Sequence, residues 1–281
     1  MNTLRSLVSN PQKAYSQLAV QHEHDCRAVW YNMHANPRPC FTRELLHDIN
    51  SFFDDIANLP VYADVQYVVL GSDIPGTFNL GGDLNRFIQL IQEKDRDGLL
   101  EYALACVEVL YLNHIGIGKG ISTISLVQGD ALGGGFEAAI SSDVLVAERS
   151  AKMGFPEILF NLFPGMGAYS FLSRKIGHAT AEKMILSGRL YSAEELFDMG
   201  VVDVLAEDGH GEKAVYDYIS HEDKTRNGIT AFRAARKCTN QLSYEELRKV
   251  TEIWVDAALK LRDRDLRMME RLVNRQSAKG A

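Results

Sequence analysis

The sequence predicts an α/β fold in which buried strands alternate with helices. Short apolar runs rich in β-branched residues recur along the chain, two of them end in glycine-rich turns, and helical stretches lie between them. The chain has 281 residues, of which 46% are hydrophobic and 24% charged, so it can bury a large core. This composition excludes intrinsic disorder, collagen and a coiled coil.

Strands are predicted at four places. Residues 65–72 form an apolar run with the length and β-branched content of a strand that is buried on both faces. Residues 121–127 have the same character, and shorter runs lie at 144–147 and 201–205. Because helical stretches separate these runs, we expect crossover connections between the strands.

Helices are predicted between and after these strands. Residues 97–111 and 168–187 are helical stretches, and another helix begins near Phe136. Ser192 followed by Glu195 is a capping-box pattern that starts a further short helix. These features predict structure only and carry no chemistry.

The last part of the chain is also predicted to be helical. No Gly or Pro lies between Thr230 and Ala278, and apolar residues recur there at steps of three and four. These residues are Leu247, Val250, Trp254, Ala257 and Leu261. Since such a stripe must pack on something, we expect a C-terminal helical region of residues 206–281 that covers a core of residues 1–205 or a neighbouring subunit.

Charge and composition narrow the range of partners. With 30 basic and 37 acidic residues the net charge is −7, which leaves no basic field to hold nucleic acid. The longest segment without charged residues, residues 158–173, is too short and too broken by Pro164 to span a bilayer, so we expect no membrane segment. Residues 1–20 lack a continuous apolar run, so we expect no signal peptide and a cytoplasmic location.

Metal, disulfide and cofactor chemistry are not expected. The four cysteines lie far apart and form no CxxC pair, which is typical of buried thiols in a reducing compartment. Residues 22–26 (HEHDC) carry metal-type side chains, but their spacing matches no known zinc site, and a polar strand or loop fits the pattern better.

Two glycine-rich loops stand out because each follows a buried strand and precedes a helix. They are residues 78–84 (FNLGGDL) and 129–137 (GDALGGGFE). Glycine lets the backbone approach a ligand closely, and the N–H groups at a helix start lack an intrahelical partner. Together the N–H groups of Gly82 and Gly134 could donate to one negatively charged oxygen, as an oxyanion hole does.

Phosphate binding and plain turns are the alternatives for these loops. Neither loop ends in the Lys-Ser/Thr pair of a P-loop, and residues 116–120 (GIGKG) lack the GxGxxG spacing of a dinucleotide site. For either loop alone, a tight turn that binds no ligand is the first interpretation.

Two carboxylates, Glu137 and Glu157, favour a catalytic site over plain turns. Each lies among apolar residues, where desolvation raises carboxylate pKa values, so one can take a proton while the other gives one.

These residues occur in three segments that resemble the signature regions of the crotonase, or enoyl-CoA hydratase, superfamily. The segments are residues 78–84, 129–137 and 155–167 (FPEILFNLFPGMG), within a resemblance that covers residues 65–205. The resemblance implies a spiral core of ββα turns, with C-terminal helices that help to assemble a homotrimer or a dimer of trimers. It also implies that Gly82 and Gly134 supply the oxyanion-hole N–H groups for a thioester carbonyl. Glu137 and Glu157 would then be the catalytic carboxylates.

Within the superfamily, the chain is similar to the diffusible-signal-factor synthases. An ordinary hydratase has F-x-A-G-x-D-L in the first loop and small residues after the second glutamate, whereas this chain has FNLGGDL and a bulky apolar segment. The NPRPCF sequence at residues 36–41 adds to the likeness. The implied substrate is a 3-hydroxyacyl group on acyl carrier protein. It would be dehydrated and then released by thioester hydrolysis as a cis-2-unsaturated fatty acid.

The same likeness suggests roles for individual side chains. As a hypothesis, Glu157 serves the proton transfers at the acyl chain and Glu137 positions or activates water. Apolar residues near the second glutamate and on the C-terminal stripe are candidates to line a slot for the acyl tail, although simple core packing is an equal alternative. These candidates are Phe160, Leu162, Phe163, Met166 and Trp254.

Two other functions compete with this interpretation. A conventional enoyl-CoA hydratase or isomerase would use the same glycines and glutamates, bind CoA and retain the thioester. A non-catalytic acyl-binding or regulatory subunit would instead dock on a signalling protein, for example through the last helix. The presence of both Glu137 and Glu157 beside intact glycine loops argues against the non-catalytic alternative.

Overall fold

The computed structural model describes the backbone of residues 15–279 and the side chains of residues 15–272. The predicted absence of a signal peptide rests mainly on residues 1–14, which lie outside the described residues. The strands are β1 (Leu18–Glu23), β2 (Ala28–Met33), β3 (Tyr67–Ser72), β4 (Thr77–Asn79), β5 (Ser122–Val127), β6 (Asp130–Leu132), β7 (Val144–Glu148), β8 (Lys152–Gly154), β9 (Leu190–Ser192) and β10 (Val204–Ala206). The helices are α1 (Arg43–Asn58), α2 (Leu84–Gln92), α3 (Arg96–His114), α4 (Gly134–Ser141), α5 (Ala168–Ile176), α6 (His178–Ser187), α7 (Ala193–Asp198), α8 (Gly211–Asp223), α9 (Arg226–Thr239), α10 (Tyr244–Ala258) and α11 (Asp263–Lys279).

Six strands form a large sheet in the order β1, β2, β3, β5, β7 and β10. β1 and β2 are an antiparallel hairpin, and all neighbours from β2 to β10 are parallel. β3, β5 and β7 are buried along almost their whole length, as expected for parallel strands that helices cover on both faces. The predicted α/β class with crossover connections is therefore confirmed.

A second, smaller sheet runs in the order β4, β6, β8 and β9. The consecutive pairs β3–β4, β5–β6 and β7–β8 each send their first strand to the large sheet and their second strand to the small one. Helical structure follows each pair, which is the expected spiral of ββα turns. Because β4, β6 and β8 are parallel neighbours, the segments that leave their carboxyl ends meet at one edge of the small sheet.

Most predicted elements lie within a few residues of the observed ones, with two corrections. The strand predicted at 201–205 begins only at Val204, because Val201 and Val202 form the turn after α7, where both N–H groups donate to the Leu196 carbonyl. The helix predicted at 168–187 is two helices, because Gly177 with a φ of +82° ends α5. The capping box that starts α7 is confirmed.

The described part of the C-terminal region, residues 206–279, forms four helices, α8 to α11, and not one continuous helix. Short turns at residues 240–243 and 259–262 separate α9, α10 and α11. Leu247 and Trp254 of the predicted stripe are buried on α10, which packs against α3, whereas Leu261 lies in the turn before α11. The boundary between residues 205 and 206 stays a prediction, and so does the trimer.

One described helical segment is long and apolar enough to cross a membrane by length and composition alone, which the sequence interpretation did not anticipate. The segment is Arg96–Gly120, which is α3 with the turn that follows it. Half of its apolar window is buried inside the protein, and α3 packs against α1, α4 and α10, as core helices do. The expected absence of a membrane partner stays a prediction.

Candidate active site

Three parallel strands of the small sheet bring the candidate site together. The segment after β4 carries Gly82, the segment after β6 carries Gly134, and the segment after β8 carries Glu157. Glu137 lies in the first turn of α4, which starts at Gly134. The three sequence motifs, separated along the chain, are therefore contiguous in space.

The first glycine loop is a tight turn between β4 and α2. The side chain of Asn79 accepts the Gly81 N–H at 2.8 Å, and Gly81 has a φ of +92°, which favours glycine. Asp83 then caps α2 with its carboxylate. A Cβ at Gly82 would lie 2.5 Å from the ring of Phe87, so the ring can pack on the loop only because residue 82 has no side chain.

The second glycine loop allows α4 to pack closely on the small sheet. Gly133 has a φ of +53°, and its N–H donates to the Gly154 carbonyl of β8 at 2.9 Å. A Cβ at Gly135 would lie 2.0 Å from the carbonyl oxygen of Asn79. Any side chain at that position would therefore push α4 away from the first loop.

The two amides predicted as oxyanion donors are close neighbours. A Cβ built on Gly134 would lie 3.4 Å from the Gly82 nitrogen, and one built on Gly81 would lie 3.0 Å from the Gly134 nitrogen. Gly82 and Gly134 also line the same cavity. The Gly134 N–H lies at the start of α4, where the macrodipole favours negative charge. An oxygen that gains negative charge beside these amides would be stabilised.

Glu137 is buried and is held by the backbone just before and at the start of α5. Its Oε1 accepts the N–H of Met166 at 2.8 Å and that of Ala168 at 2.9 Å, and the residue is only 1% exposed. Burial raises the pKa of Glu137 to about 7, while hydrogen bonds from Ala168, Met166 and Gly167 oppose this rise. The carboxyl group can therefore change its protonation state near neutral pH.

Glu157 begins the short 3-10 turn Glu157–Phe160 and has fewer partners. Its Oε2 is buried and has no hydrogen-bond partner among the described residues. Its Oε1 lies so close to the second glycine loop that a Cβ at Gly133 would be 2.4 Å from this oxygen. Burial, and then the charge of Glu137, raise the pKa of Glu157 well above its usual range. Glu157 is therefore suited to hold a proton at neutral pH.

Both glutamates and both glycines face one cavity of about 400 Å³ with largely apolar walls. Four of the five predicted acyl-slot residues line it, namely Phe160, Leu162, Met166 and Trp254. Phe163 does not line it and instead packs, partly buried, against the core. The prediction for Phe163 is corrected accordingly.

Several walls of the cavity come from helices that the sequence interpretation did not connect with the site. They include Phe87 on α2, Cys106 on α3, and Met269 and Leu272 on α11. Trp254 closes one side, because its ring lies 5.0 Å from the ring of Phe87 and a Cβ at Gly165 would lie 2.4 Å from it. The periodicity of these helices shows an inward face but does not distinguish a cavity wall from a solid core.

No cluster suited to a metal ion is found within the described part of the chain. The HEHDC segment forms the end of β1 and a 3-10 turn, as the pattern predicted, with the rings of His22 and His24 3.8 Å apart. The four cysteines are free thiols, and of these Cys106 lines the cavity.

Comparison with known proteins relates the chain to hydratases of CoA thioesters. Residues 33–253 match the family model described as enoyl-CoA hydratase/isomerase. The chain is 30% identical over 182 residues to methylglutaconyl-CoA hydratase, mitochondrial, from Rattus norvegicus, with 63% of this chain and 55% of that protein covered. Probable enoyl-CoA hydratase 2, mitochondrial, from Arabidopsis thaliana is 29% identical over 202 residues, with 71% and 62% covered. The aligned region thus spans little more than half the length of these curated relatives.

Solved structures share the fold over nearly the whole chain. An enoyl-CoA hydratase from Bacillus halodurans has a TM-score of 0.77 at 20% identity, with 91% of this chain and 100% of that chain covered. The human mitochondrial delta3-delta2-enoyl-CoA isomerase has a TM-score of 0.77 at 16% identity, with 94% and 100% covered. At these identities the likeness establishes the crotonase-type fold alone. Since the family match includes both glycine loops and both glutamates, the chain belongs to the enoyl-CoA hydratase/isomerase family.

Proposed function

We propose that the protein adds water to, or removes water from, the C2–C3 bond of an acyl thioester. The observation that carries this proposal is the arrangement of two backbone amides and two buried carboxyl groups around one apolar cavity. Membership of the enoyl-CoA hydratase/isomerase family supports the same class of reaction.

In the proposed reaction, the thioester carbonyl oxygen lies between the N–H groups of Gly82 and Gly134. Removal of a proton from C2, or addition of water at C3, moves negative charge onto that oxygen. Hydrogen bonds that strengthen as this charge develops lower the barrier, because they stabilise the transition state more than the bound substrate. Loss of one such donor costs about 10²- to 10³-fold in rate.

The two carboxyl groups carry the protons. In hydration, ionised Glu137 takes a proton from the water that attacks C3, and protonated Glu157 gives its proton to C2. Dehydration runs the same transfers backwards. The hydrogen bonds from Met166 and Ala168 to Glu137 support its role as the ionised partner, and the buried, unpartnered Oε2 of Glu157 supports its role as the proton donor.

We propose CoA as the carrier of the acyl group. Both curated relatives described above are named as hydratases of CoA thioesters, which favours CoA over acyl carrier protein. The largely apolar cavity suits the aliphatic part of such a substrate, and the carbonyl would then be held at the glycine loops.

A second candidate is synthesis of a cis-2-unsaturated fatty acid signal from a 3-hydroxyacyl group on acyl carrier protein. The FNLGGDL loop and the bulky side chains of Leu162, Met166 and Trp254 in the cavity wall favour this candidate. After dehydration, a water activated by a glutamate would attack the thioester carbon and the C–S bond would break. The carrier thiol would leave with a proton, and the tetrahedral oxyanion would use the same two amides.

Product analysis by mass spectrometry tests both candidates. The purified protein is incubated with a 3-hydroxyacyl-CoA and with the matching thioester of acyl carrier protein. Interconversion of 3-hydroxyacyl and 2-enoyl thioesters without loss of the carrier supports the hydratase, and release of free unsaturated acid supports the synthase. Absence of turnover on either substrate contradicts both and favours a non-catalytic acyl-binding or regulatory subunit.

We further propose that the chain assembles as a homotrimer or a dimer of trimers and acts in the cytoplasm. Phe232 on α9 and Ile253 on α10 are 67% and 62% exposed, and subunit contacts would remove such side chains from water. Sedimentation of the purified protein tests the assembly, and a monomer at micromolar concentration would contradict it.

A further inference from the structure

The segment before α1 lies against the first glycine loop. The Leu80 N–H donates to the Pro39 carbonyl at 2.7 Å, and the Phe41 N–H donates to the Gly81 carbonyl at 2.8 Å. Phe41 and Gly82 pair as a parallel β-bridge. The NPRPCF sequence, to which the proposed reaction gives no role, therefore runs beside the loop as a short additional strand.

Tyr102 connects this segment to the loop from the middle of α3. Its hydroxyl accepts the Asp83 N–H at 2.8 Å and donates to the Phe41 carbonyl oxygen. Its buried ring lies 5.2 Å from the ring of Phe87, which packs against Gly82. The Tyr102 hydroxyl therefore links Asp83, which follows Gly82 in the chain, to Phe41, which pairs with Gly82.

Arg38 provides a second connection to the same loop. Its guanidinium lies 2.8 Å from the Asp83 carboxylate, and both side chains are only 17% exposed. A charge-assisted hydrogen bond with so little exposure is stronger and less screened by salt than a surface ion pair. The NPRPCF sequence is followed directly by Thr42, whose side chain caps α1 by accepting the Leu45 N–H at 3.2 Å. The contacts on the loop are therefore anchored to a helix.

We propose that Tyr102 and Arg38 are positioning residues for oxyanion stabilisation. Through Phe41 and Asp83 they determine where the Gly82 N–H points. The inference rests on the proposed function, which assigns that N–H to the thioester carbonyl oxygen. Neither Tyr102 nor Arg38 is among the residues that line the cavity, so both act through the loop and not by contact with substrate.

The substitution Tyr102→Phe removes one oxygen atom and keeps the ring that packs on Phe87. We expect kcat to fall about 10- to 100-fold, because a displacement of about 1 Å at a reacting group costs about 10²-fold in rate. KM should change much less, since the lost interaction belongs to the transition state. Tyr111→Phe is the matched control, because it makes the same change on the same helix at a residue that lines a separate groove.

A spectroscopic measurement separates positioning from general damage to the fold. The enolate of acetoacetyl-CoA absorbs in the near ultraviolet where the keto form does not, so the absorbance of the bound compound reports oxyanion stabilisation. Tyr102→Phe should bind acetoacetyl-CoA with a smaller enolate fraction, and its affinity should fall only by the amount that the lost enolate accounts for. The Tyr111→Phe control should keep the enolate fraction of the original chain.

Arg38→Gln provides an independent variant should Tyr102→Phe fail to fold. It should also lower kcat and the enolate fraction, while Arg38→Lys, which keeps the charge near Asp83, should restore part of both. Arg43→Gln is its control, because Arg43 pairs with Glu101 on the exposed surface.

The outcomes of these measurements separate the inference from the proposed function. Wild-type kcat and enolate fraction in folded Tyr102→Phe, or in Arg38→Gln where Tyr102→Phe does not fold, would overturn the inference. If the unmodified protein neither enolises acetoacetyl-CoA nor turns over any thioester, the proposed function is wrong instead.

Discussion

The two candidate acids are the same residue type, yet the chain holds them in different ways. Glu137 lies on α4 and accepts two backbone N–H groups from the loop that leads into α5. Glu157 lies on a single 3-10 turn, and its Oε2 has no hydrogen-bond partner within residues 15–272. Both carboxyl groups are desolvated, but backbone hydrogen bonds from three residues lower the pKa of Glu137, whereas only the backbone of Glu157 itself lowers that of Glu157. The difference in backbone hydrogen bonding, together with the charge of Glu137, therefore favours the ionised form of Glu137 over that of Glu157.

Replacement of each acid by Gln should have the largest effect and tests this difference directly. General acid–base catalysis contributes about 10²- to 10⁴-fold, and we expect Glu157→Gln to approach the upper end and Glu137→Gln the lower end of that range. Gln transfers a proton at neither position, but a Gln at position 137 can still accept the backbone N–H groups and position the attacking water. Steady-state kinetics on both variants measure the difference.

Glu148→Gln is a suitable control for this experiment. Glu148 is also buried, but it lies on β7 outside the cavity, so its replacement should leave the rate per folded molecule unchanged. Full activity in both Glu137→Gln and Glu157→Gln would refute a catalytic role for either residue.

The pH dependence of the hydration rate should report the ionisation of both Glu137 and Glu157. We expect kcat/KM to rise through about pH 7 as Glu137 loses its proton, because its pKa lies near that value. At higher pH the rate should fall as Glu157 ionises, since burial and the charge of Glu137 raise its pKa well above its usual range. Glu137→Gln should remove the rising limb and leave the falling one. A profile without any limb in the neutral range would contradict the assignment.

The same pKa values predict a smaller effect on stability. Both carboxyl groups have a folded-state pKa above the ordinary value of 4.5, so their protonated forms stabilise the fold at low pH. That contribution is lost as the pH rises through the folded pKa. Glu157→Gln has no proton to lose, and we expect it to be more stable than the unmodified chain by about 1 kcal/mol above neutral pH, with a smaller gain for Glu137→Gln. Thermal unfolding at several pH values measures this, and equal gains for both variants would contradict the comparison.

The smallest expected effect concerns the loop that holds Glu137. A Cβ at Gly165 would lie 2.4 Å from the ring of Trp254, so Gly165→Ala should shift the loop and weaken the hydrogen bond from Met166. A hydrogen bond of this kind contributes about 1 kcal/mol, and only part of that contribution is lost. The pKa of Glu137, and with it the rising limb of the pH profile, should therefore move to higher pH by less than about one pH unit. The falling limb should stay in place. Gly228→Ala on α9 is the control, because a Cβ there meets nothing within 4 Å.

Much of the fold and of the candidate site could be predicted because the signals are local. Apolar, β-branched runs mark β3 and β7, and glycines mark the turns that lead away from the small sheet. Gly82, Gly134, Glu137 and Glu157 all line the cavity, as their motifs predicted, although their chemical roles stay predictions. Each of these signals depends on a few adjacent residues and on backbone geometry that glycine alone tolerates.

The remainder depends on contacts between distant parts of the chain. Val201 and Val202 have the composition of a strand, but hydrogen bonds to Leu196 place them in a turn. Met269 resembles any apolar residue on a helix, and only the packing of α11 makes it a cavity wall. The proposed positioning role of the Tyr102 hydroxyl depends on Asp83 and Phe41, which are separated from it by 19 and 61 positions along the chain. Local patterns do not contain such information.

The contribution of α11 to the cavity has a consequence for synthesis of the protein. The segments that carry the glycine loops and both glutamates leave the ribosome well before Met269 and Leu272. Until α11 docks, the nascent chain exposes apolar cavity walls that α11 helps to cover in the folded protein, and chaperones bind such surfaces. The growing polypeptide therefore keeps this apolar surface exposed to aggregation until α11 has been translated and has docked.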